Sequence, residues 1–222
     1  MNIKQIAGER AADFVEDGMV LGLGTGSTAF FTIQKIGEKV SQGLKITGVC
    51  TSEETRLLAE SLKIPYVDLD DVENIDLTID GADEVDPMGN GIKGGGGALL
   101  YEKIAASVST QIIWVIEQRK LVDKLGNFPL PVEIMPYGHK HCLQTLTEKG
   151  YNPQLRISGK KACLTDGGHY IADLHTGLME DPFELEADLQ RITGVIENGL
   201  FLKSANKAIV ASLEAVDVIS YR

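Results

Sequence analysis

Helix and strand signals alternate down the first 117 residues of a 222-residue chain, glycine-rich turns separate strand from helix, and two prolines near residue 130 open a stretch of different texture. Together these predict an α/β fold: a Rossmann-like, mostly parallel sheet covered by helices, with a smaller inserted α+β (ferredoxin-like) domain. The expected division is 1–128 plus 203–222 for the α/β domain and 129–202 for the smaller one.

The first element is a helix, because Ile3, Ile6, Ala7, Phe14 and Val15 share one face at helical spacing. Asp17 and Gly18 end it, and the apolar run over 19–23 reads as the first strand. After a glycine loop the pattern predicts a helix over 27–40, a strand over 45–50, a helix over 52–63, and strands over 66–69 and 75–79. A second glycine loop leads into a helix over 98–108. The strand over 111–117 carries Ile-Ile-Trp-Val-Ile, a continuous apolar run of the kind buried on both faces of a parallel sheet.

Pro129 and Pro131 bracket one residue and mark the domain boundary. Beyond them lie a strand over 132–135, a helix over 141–149, a strand over 154–157, and a hairpin pairing 161–165 with 169–174 across Asp166, Gly167 and Gly168. Asp181 is placed to cap a helix over 182–192. A strand near 195–202 follows, and two short strands over 208–211 and 215–221 can return to the first domain.

Composition narrows the function classes. Against 21 basic residues stand 32 acidic ones, a net charge of −11 that repels nucleic-acid phosphates and anionic membranes, and no basic run offsets it. No apolar stretch approaches the roughly 20 residues of a membrane span. Residues 1–14 lack the apolar core of a signal peptide, so a cytoplasmic location is expected. Cys50, Cys142 and Cys163 are an odd set without a C-x-x-C pair and read as buried thiols, and the four histidines have no metal-ligand spacing. No metal is expected.

Nine of the 24 glycines fall in two short stretches, around 22–26 and 89–97. Gly24-Thr25-Gly26-Ser27-Thr28 sits where a strand meets a helix, whose unpaired N–H groups suit a phosphate. A dinucleotide fits less well, because the next strand ends in Val49-Cys50-Thr51-Ser52 without an acid, and no Gly-Lys-Ser/Thr follows as in nucleotide P-loops. A plain capped turn is the bland alternative.

Asp80-Gly81-Ala82-Asp83-Glu84 follows a strand at the sheet edge where open α/β sheets bind ligands; its spacing does not match a calcium loop, and a solvated acidic loop is the alternative. Lys93 precedes four successive glycines, a nest of N–H groups beside a positive charge. Glu102 lies about five residues into the next helix, facing back to the loop or outward. Arg119 and Lys120 add two cations at the end of the apolar strand, and Lys4 stands near the start of the first helix.

In this order, Gly-Thr-Gly-Ser-Thr at 24–28, Asp-Gly-Ala-Asp-Glu at 80–84, Lys-Gly-Gly-Gly-Gly-Ala at 93–98, Glu102, and Lys120 make the chain resemble the type A ribose-5-phosphate isomerases. The resemblance extends to Gly194-Val195 and Gly199-Leu200-Phe201 and so covers nearly the whole chain. It implies interconversion of D-ribose 5-phosphate and D-ribulose 5-phosphate in the non-oxidative pentose phosphate pathway, no cofactor, and a homodimer or higher homo-oligomer. It implies catalytic roles for Glu102, Asp80 and Lys93, with Glu102 the general base. Substrate binding is implied for Lys4, Thr25, Gly26, Ser27, Thr28, Asp80, Gly81, Ala82, Asp83, Lys93, Gly94, Gly95, Gly96 and Lys120.

The chemistry agrees with such a set. Moving a proton between adjacent carbons through a cis-enediolate needs one base and a cation or donors at the oxygen. Three other readings stand beside it: a sugar-phosphate-sensing regulator, for which this acidic chain has no basic helix-turn-helix; an acyl-CoA transferase with a nucleophilic glutamate; and a deaminating isomerase of amino sugar phosphates.

Overall fold

The computed structural model describes residues 2–221. Helix α1 (Ile3–Ala11) starts at Asn2, whose side chain accepts from the Lys4 N–H, and a 3-10 turn at Ala12–Phe14 leads toward β1 (Val20–Leu23). Then come α2 (Ala29–Ser41), β2 (Thr47–Cys50), and α3 (Glu53–Ser61), which Ser52 caps by accepting from the Thr55 N–H. Next are β3 (Ile75–Gly81), the short β4 (Glu84–Val85) and β5 (Gly91–Ile92), α4 (Leu99–Ser107) and β6 (Ser109–Glu117).

The second half runs β7 (Leu130–Ile134), α5 (His139–Glu148), β8 (Pro153–Leu155), β9 (Ile157–Ser158), β10 (Lys161–Ala162), β11 (Tyr170–Leu174), α6 (Pro182–Leu189) and β12 (Val195–Asn198). The chain closes with β13 (Leu200–Phe201), β14 (Lys207–Ala211) and β15 (Val216–Ser220).

The main sheet has six strands in the order β15-β14-β6-β3-β1-β2, parallel throughout except for the antiparallel edge strand β15. Alternation along β6 explains its unbroken apolar run. Ile113 and Val115 join Leu21, Leu77, Ile209 and the buried faces of α1 and α2, while Ile112, Trp114 and Ile116 point the other way onto Val85, Phe201 and Ala208. Each such side chain, fully buried, contributes roughly 1.5–3 kcal/mol relative to exposure.

The second sheet is antiparallel, in the order β12-β7-β11-β8. Numbered along the chain, its strands lie 4-1-3-2 with α5 and α6 as the crossovers, the split β-α-β arrangement expected from the sequence. Ile92 and Leu200, of the short strands β5 and β13, share its core with Leu130, Val132, Leu146 and Leu189. Their neighbours Val85 and Phe201 pack on Trp114 and Ala208 of the main sheet, so the two large sheets are joined through these short strands. A small third sheet, β13-β5-β4, lies at that junction.

Several elements depart from expectation. Residues 66–69 form no ladder: Tyr66 makes a single parallel bridge to Gly48, and the chain then coils into a 3-10 turn at Leu69–Asp71. Pro65 has no N–H to continue the pairing, and the aspartates at 68, 70 and 71 favour turns. The 161–165 segment meets 169–174 only where the Asp166-Gly167-Gly168 turn closes, with the Thr165 N–H donating to the His169 carbonyl at 2.9 Å, and forms no ladder with it. Instead β10 folds back on β9 across Gly159 and Lys160, with Gly159 at φ +65°, and β11 pairs with β7 and β8.

The strand near 195–202 is two strands in two sheets, broken at Gly199, where a Cβ would lie 2.2 Å from the Lys93 carbonyl oxygen. Of the cysteines only Cys142 is buried; Cys50, at the end of edge strand β2, and Cys163, just past β10, are half-buried. Among the described residues no helix is long and apolar enough to cross a membrane.

Candidate active site

Three parallel strands end side by side at one edge of the main sheet, and each delivers a loop to the same cleft. From β1 comes the 24–28 loop, which enters α2 through Gly26 at φ +103°. It is fastened from below: the Thr25 hydroxyl lies 2.8 Å from those of Thr51 and Ser52, and the Thr55 hydroxyl donates to the Gly24 carbonyl at 2.9 Å. The amino end of α2 therefore faces the cleft with its N–H groups and positive dipole, the usual seat of a phosphate.

Gly24 has a second duty. A Cβ there would lie 2.3 Å from Asp80 Oδ1, so only glycine lets this carboxylate pack against the loop. Gly24→Ala is expected to displace Asp80 and lower both the melting temperature and kcat. Calorimetry and steady-state kinetics on the purified variant check it, and a variant unchanged in both would contradict the packing argument.

From β3 come Asp80 and Gly81, the last two residues of the strand. Asp80 Oδ1 accepts from the N–H groups of Thr25 (3.0 Å) and Gly81 (2.7 Å). Asp80 Oδ2 pairs with Lys93 Nζ at 2.9 Å, and Lys93 also donates to the Gly81 carbonyl at 2.6 Å. Glu102 completes the cluster, with Oε2 3.3 Å from the same Nζ but outside hydrogen-bond alignment, and accepting none. Asp80, Lys93 and Glu102 are 2%, 3% and 5% exposed, three charges held almost out of water.

Glu102 is in the first turn of α4, which turns its side chain back toward the loop; sequence alone left that direction open. Burial, and then the Asp80 carboxylate, push its pKa up, to about 8, against the pull of Lys93. For Lys93, burial opposes the charge, but Asp80 and then Glu102 outweigh it and hold the ammonium above the ordinary lysine range. The result is a carboxyl that takes a proton readily beside a cation that does not lose one.

The remaining groups frame the opening. Asp83 Oδ2 accepts from the Gly95 N–H at 2.8 Å, tying the β3 loop to the second glycine loop. Lys120 donates to the Ala82 carbonyl, and burial depresses its pKa. Lys4 Nζ bonds the Ser27 hydroxyl at 2.8 Å and lies 3.8 Å from Glu117. Arg119, by contrast, turns out to solvent and pairs with Glu117 at 3.1 Å, so only one of the two cations after β6 faces the cleft.

The cleft measures about 220 Å³ and is lined by Thr25, Gly26, Ser27, Thr28, Gly81, Ala82, Asp83, Lys93, Gly94, Gly95, Gly96, Glu102 and Lys120. Besides Arg119, two of the residues singled out from sequence are not in its wall: Asp80 stands behind Lys93, and Lys4 reaches the rim through Ser27. Among the described residues no cluster of three or more His, Cys, Asp or Glu is placed to hold a metal. Sequence reasoning missed Thr51, Ser52 and Thr55, whose signal was a hydroxyl run one strand away. It also missed Arg156, whose Nη1 reaches the carbonyls of Gly94 (2.9 Å) and Gly95 (3.1 Å) from the inserted sheet.

Fold and site together define a Rossmann-like α/β protein with a buried acid–base pair beside an anion cradle, suited to proton transfer on a small anionic substrate. Residues 47–215 match the family model for ribose 5-phosphate isomerase A (phosphoriboisomerase A). The chain is 50% identical over 212 residues to ribose-5-phosphate isomerase A of Enterococcus faecalis, covering 95% of this chain and 94% of that protein. It is 47% identical over 222 residues to that of Streptococcus pneumoniae, covering 100% and 98%.

A D-ribose-5-phosphate isomerase solved with phospho-erythronic acid superposes with a TM-score of 0.95 at 41% identity, covering 99% of this chain and all of the other. The enzyme from Methanocaldococcus jannaschii superposes at 0.93 with 36% identity, covering 98% of each chain. The chain belongs to the ribose 5-phosphate isomerase A family.

Proposed function

We infer that this protein interconverts D-ribose 5-phosphate and D-ribulose 5-phosphate through a cis-enediolate. The observation that carries the reading is the buried Glu102 carboxyl beside the Lys93 ammonium, in the wall of a cleft whose other end is the amino terminus of α2. A related isomerase binds phospho-erythronic acid, a four-carbon phosphorylated acid whose carboxylate mimics an enediolate, which supports the same reading.

In this mechanism the phosphate sits at the α2 amino end, between Lys4 and Lys120, with Ser27 and Thr28 beside it. That anchor places C1 and C2 of the open-chain sugar against Glu102. Ring opening must come first, because the proton on C2 is not acidic until C1 is a carbonyl. Asp80, the counter-charge to Lys93, serves that step. Its carboxylate takes the proton of the anomeric hydroxyl as the bond from C1 to the ring oxygen breaks, and the proton is handed on to the freed ring oxygen. Glu102 then carries the proton between C2 and C1 while the Lys93 ammonium and the glycine-loop N–H groups hold the developing oxyanion.

A general base supplies about 10²–10⁴-fold and one oxyanion donor about 2.7–4 kcal/mol, so the phosphate anchor must supply orientation as well. The step asks for no cofactor. A cytoplasmic location, a homodimer or larger homo-oligomer, and a place in the non-oxidative pentose phosphate pathway belong to the same proposal. The acidic composition supports the absence of nucleic-acid and membrane partners.

The test is proton NMR of ribose 5-phosphate in deuterated water with purified protein and excess EDTA. Ribulose 5-phosphate should appear with solvent deuterium incorporated next to the carbonyl; no conversion by folded protein sinks the reading. The pH profile is a second check. Because the base works ionised and its pKa is raised, kcat/KM should climb with pH toward about 8 and level beyond it. Measurement above pH 7 keeps the substrate phosphate, with its second pKa about 6, out of the profile. A flat profile from pH 7 to 9 would contradict the assignment of the base.

A further inference from the structure

Arg156 lies between β8 and β9 and is held on all sides. Its N–H donates to the Ile171 carbonyl at 2.8 Å, and its own carbonyl accepts from the Cys163 N–H at 2.9 Å. Its guanidinium grips Asp173 of β11 with two bonds, one from Nε to Oδ2 at 2.9 Å and a second from Nη2 to Oδ1. The side chain is 19% exposed and its remaining nitrogen crosses to the second glycine loop, where Nη1 meets the carbonyls of Gly94 and Gly95. The separation along the chain is 62 and 61 residues, so this is a tertiary contact with no local reason to exist.

A peptide unit is planar, and in the trans form its N–H points opposite to its C=O. Holding the Gly94 carbonyl therefore aims the Gly95 N–H the other way, and that N–H is the one that bonds Asp83 Oδ2 at 2.8 Å. Holding the Gly95 carbonyl does the same for the Gly96 N–H, and Gly94, Gly95 and Gly96 all line the cleft. Glycine is the residue least able to fix its own peptide planes. Gly94, at φ +105°, also hands its carbonyl to the Gly97 N–H at 3.0 Å, which leaves the next peptide to an outside partner.

We propose that Arg156, delivered by the inserted sheet and held by Asp173, is a positioning residue for the reaction: by holding the Gly94 and Gly95 carbonyls it aims the N–H groups of Gly95 and Gly96 at Asp83 and the cleft. The proposal rests on the isomerase reading. It makes the second sheet part of the catalytic machinery, since its strands supply the fork that shapes the loop. Lysine cannot replace it, because one ammonium cannot span a carboxylate in two-point contact and two carbonyls at once.

The test compares wild type with Arg156→Ala, Arg156→Lys and Asp173→Asn. The readouts are kcat and KM for ribose 5-phosphate, the inhibition constant of inorganic phosphate, and hydrogen exchange of the amides over 93–99. Folded variants should lose up to about 100-fold in kcat, the order expected for a displaced catalytic geometry. Phosphate inhibition should stay unchanged, because the α2 end is untouched, and exchange over 93–99 should accelerate.

Asp173→Asn keeps the cation and should show a smaller loss of the same kind, so it carries the test if removal of Arg156 prevents folding. Wild-type kcat in folded Arg156→Ala, full recovery in Arg156→Lys, or a loss confined to phosphate affinity would each overturn the proposal. A wild type that does not convert ribose 5-phosphate sinks the isomerase reading instead. The loop's exchange then decides alone, and unchanged exchange in Arg156→Ala rejects the contact's role.

Discussion

Glu102→Gln is expected to lower kcat by about 10²–10⁴-fold while leaving KM nearly unchanged, because the amide keeps the shape of the carboxyl but cannot take a proton. Deuterium incorporation at C2 of ribose 5-phosphate, followed by NMR beside the wild type, separates loss of proton transfer from loss of binding. Near-normal turnover would remove Glu102 from its role. The same variant carries a stability signature. Glu102 has a folded-state pKa raised above its ordinary value of 4.5, so its contribution to stability is fully present below that value and is lost as pH rises toward about 8. Ionised, it strains the fold. At pH 9 the glutamine variant should melt several degrees above wild type, and near pH 4.5 the two should converge. A variant less stable than wild type at pH 9 would contradict the burial argument.

Lys93→Met should show the largest combined effect on activity and stability. It removes the ammonium from two buried carboxylates, Asp80 at 2.9 Å and Glu102 at 3.3 Å, and breaking a buried pair in this way costs about 3–5 kcal/mol. In a chain of this size that is a fall in melting temperature of roughly 10 °C near pH 8. Loss of an oxyanion donor takes a further 10²–10³-fold or so from kcat. The stability gap should narrow as pH falls and Glu102 takes its proton. Scanning calorimetry at pH 5 and pH 8 reads both. Equal melting temperatures at pH 8 would show that the two carboxylates do not depend on Lys93.

The parts of the site legible in sequence were those whose chemistry is compressed into consecutive residues. Gly24 to Thr28, Asp80 to Asp83 and Lys93 to Gly97 each carry their own turn chemistry, and each lies beside a strand or helix that periodicity could find. Glu102 was legible as a position but not as a buried group, since an isolated glutamate on a helix is ordinarily solvated. Its burial depends on α4 packing its first turn over Lys93 and Asp80, a tertiary fact.

Arg156, Asp173 and the Thr51, Ser52 and Thr55 hydroxyls were not legible for a related reason. Arg156 and the three hydroxyls act on loops dozens of residues away, Asp173 acts through Arg156, and no local pattern announces such partners. The fold shows the same division. The 4-1-3-2 sheet followed from the element order, whereas the partner of 161–162 depended on a two-residue turn at Gly159 and Lys160 that the Asp166-Gly167-Gly168 signal eclipsed.

Gly199 bears on whether this chain could ever be shortened. Its carbonyl accepts from the Lys93 N–H at 2.9 Å and its N–H donates to the Pro131 carbonyl at 2.7 Å, so one residue staples Lys93 to both ends of the insert. Excision of 130–198 would not leave a compact miniature enzyme. It would unseat the backbone of Lys93, strip Ile92 and Leu200 of their packing partners, and expose a fresh apolar scar where the two sheets now meet. Gene trimming would fail here for mechanical reasons before any question of chemistry arose. Variation in length is better tolerated at the exposed Gly159 and Lys160 turn, where a Cβ added at Gly159 would meet nothing within 4 Å.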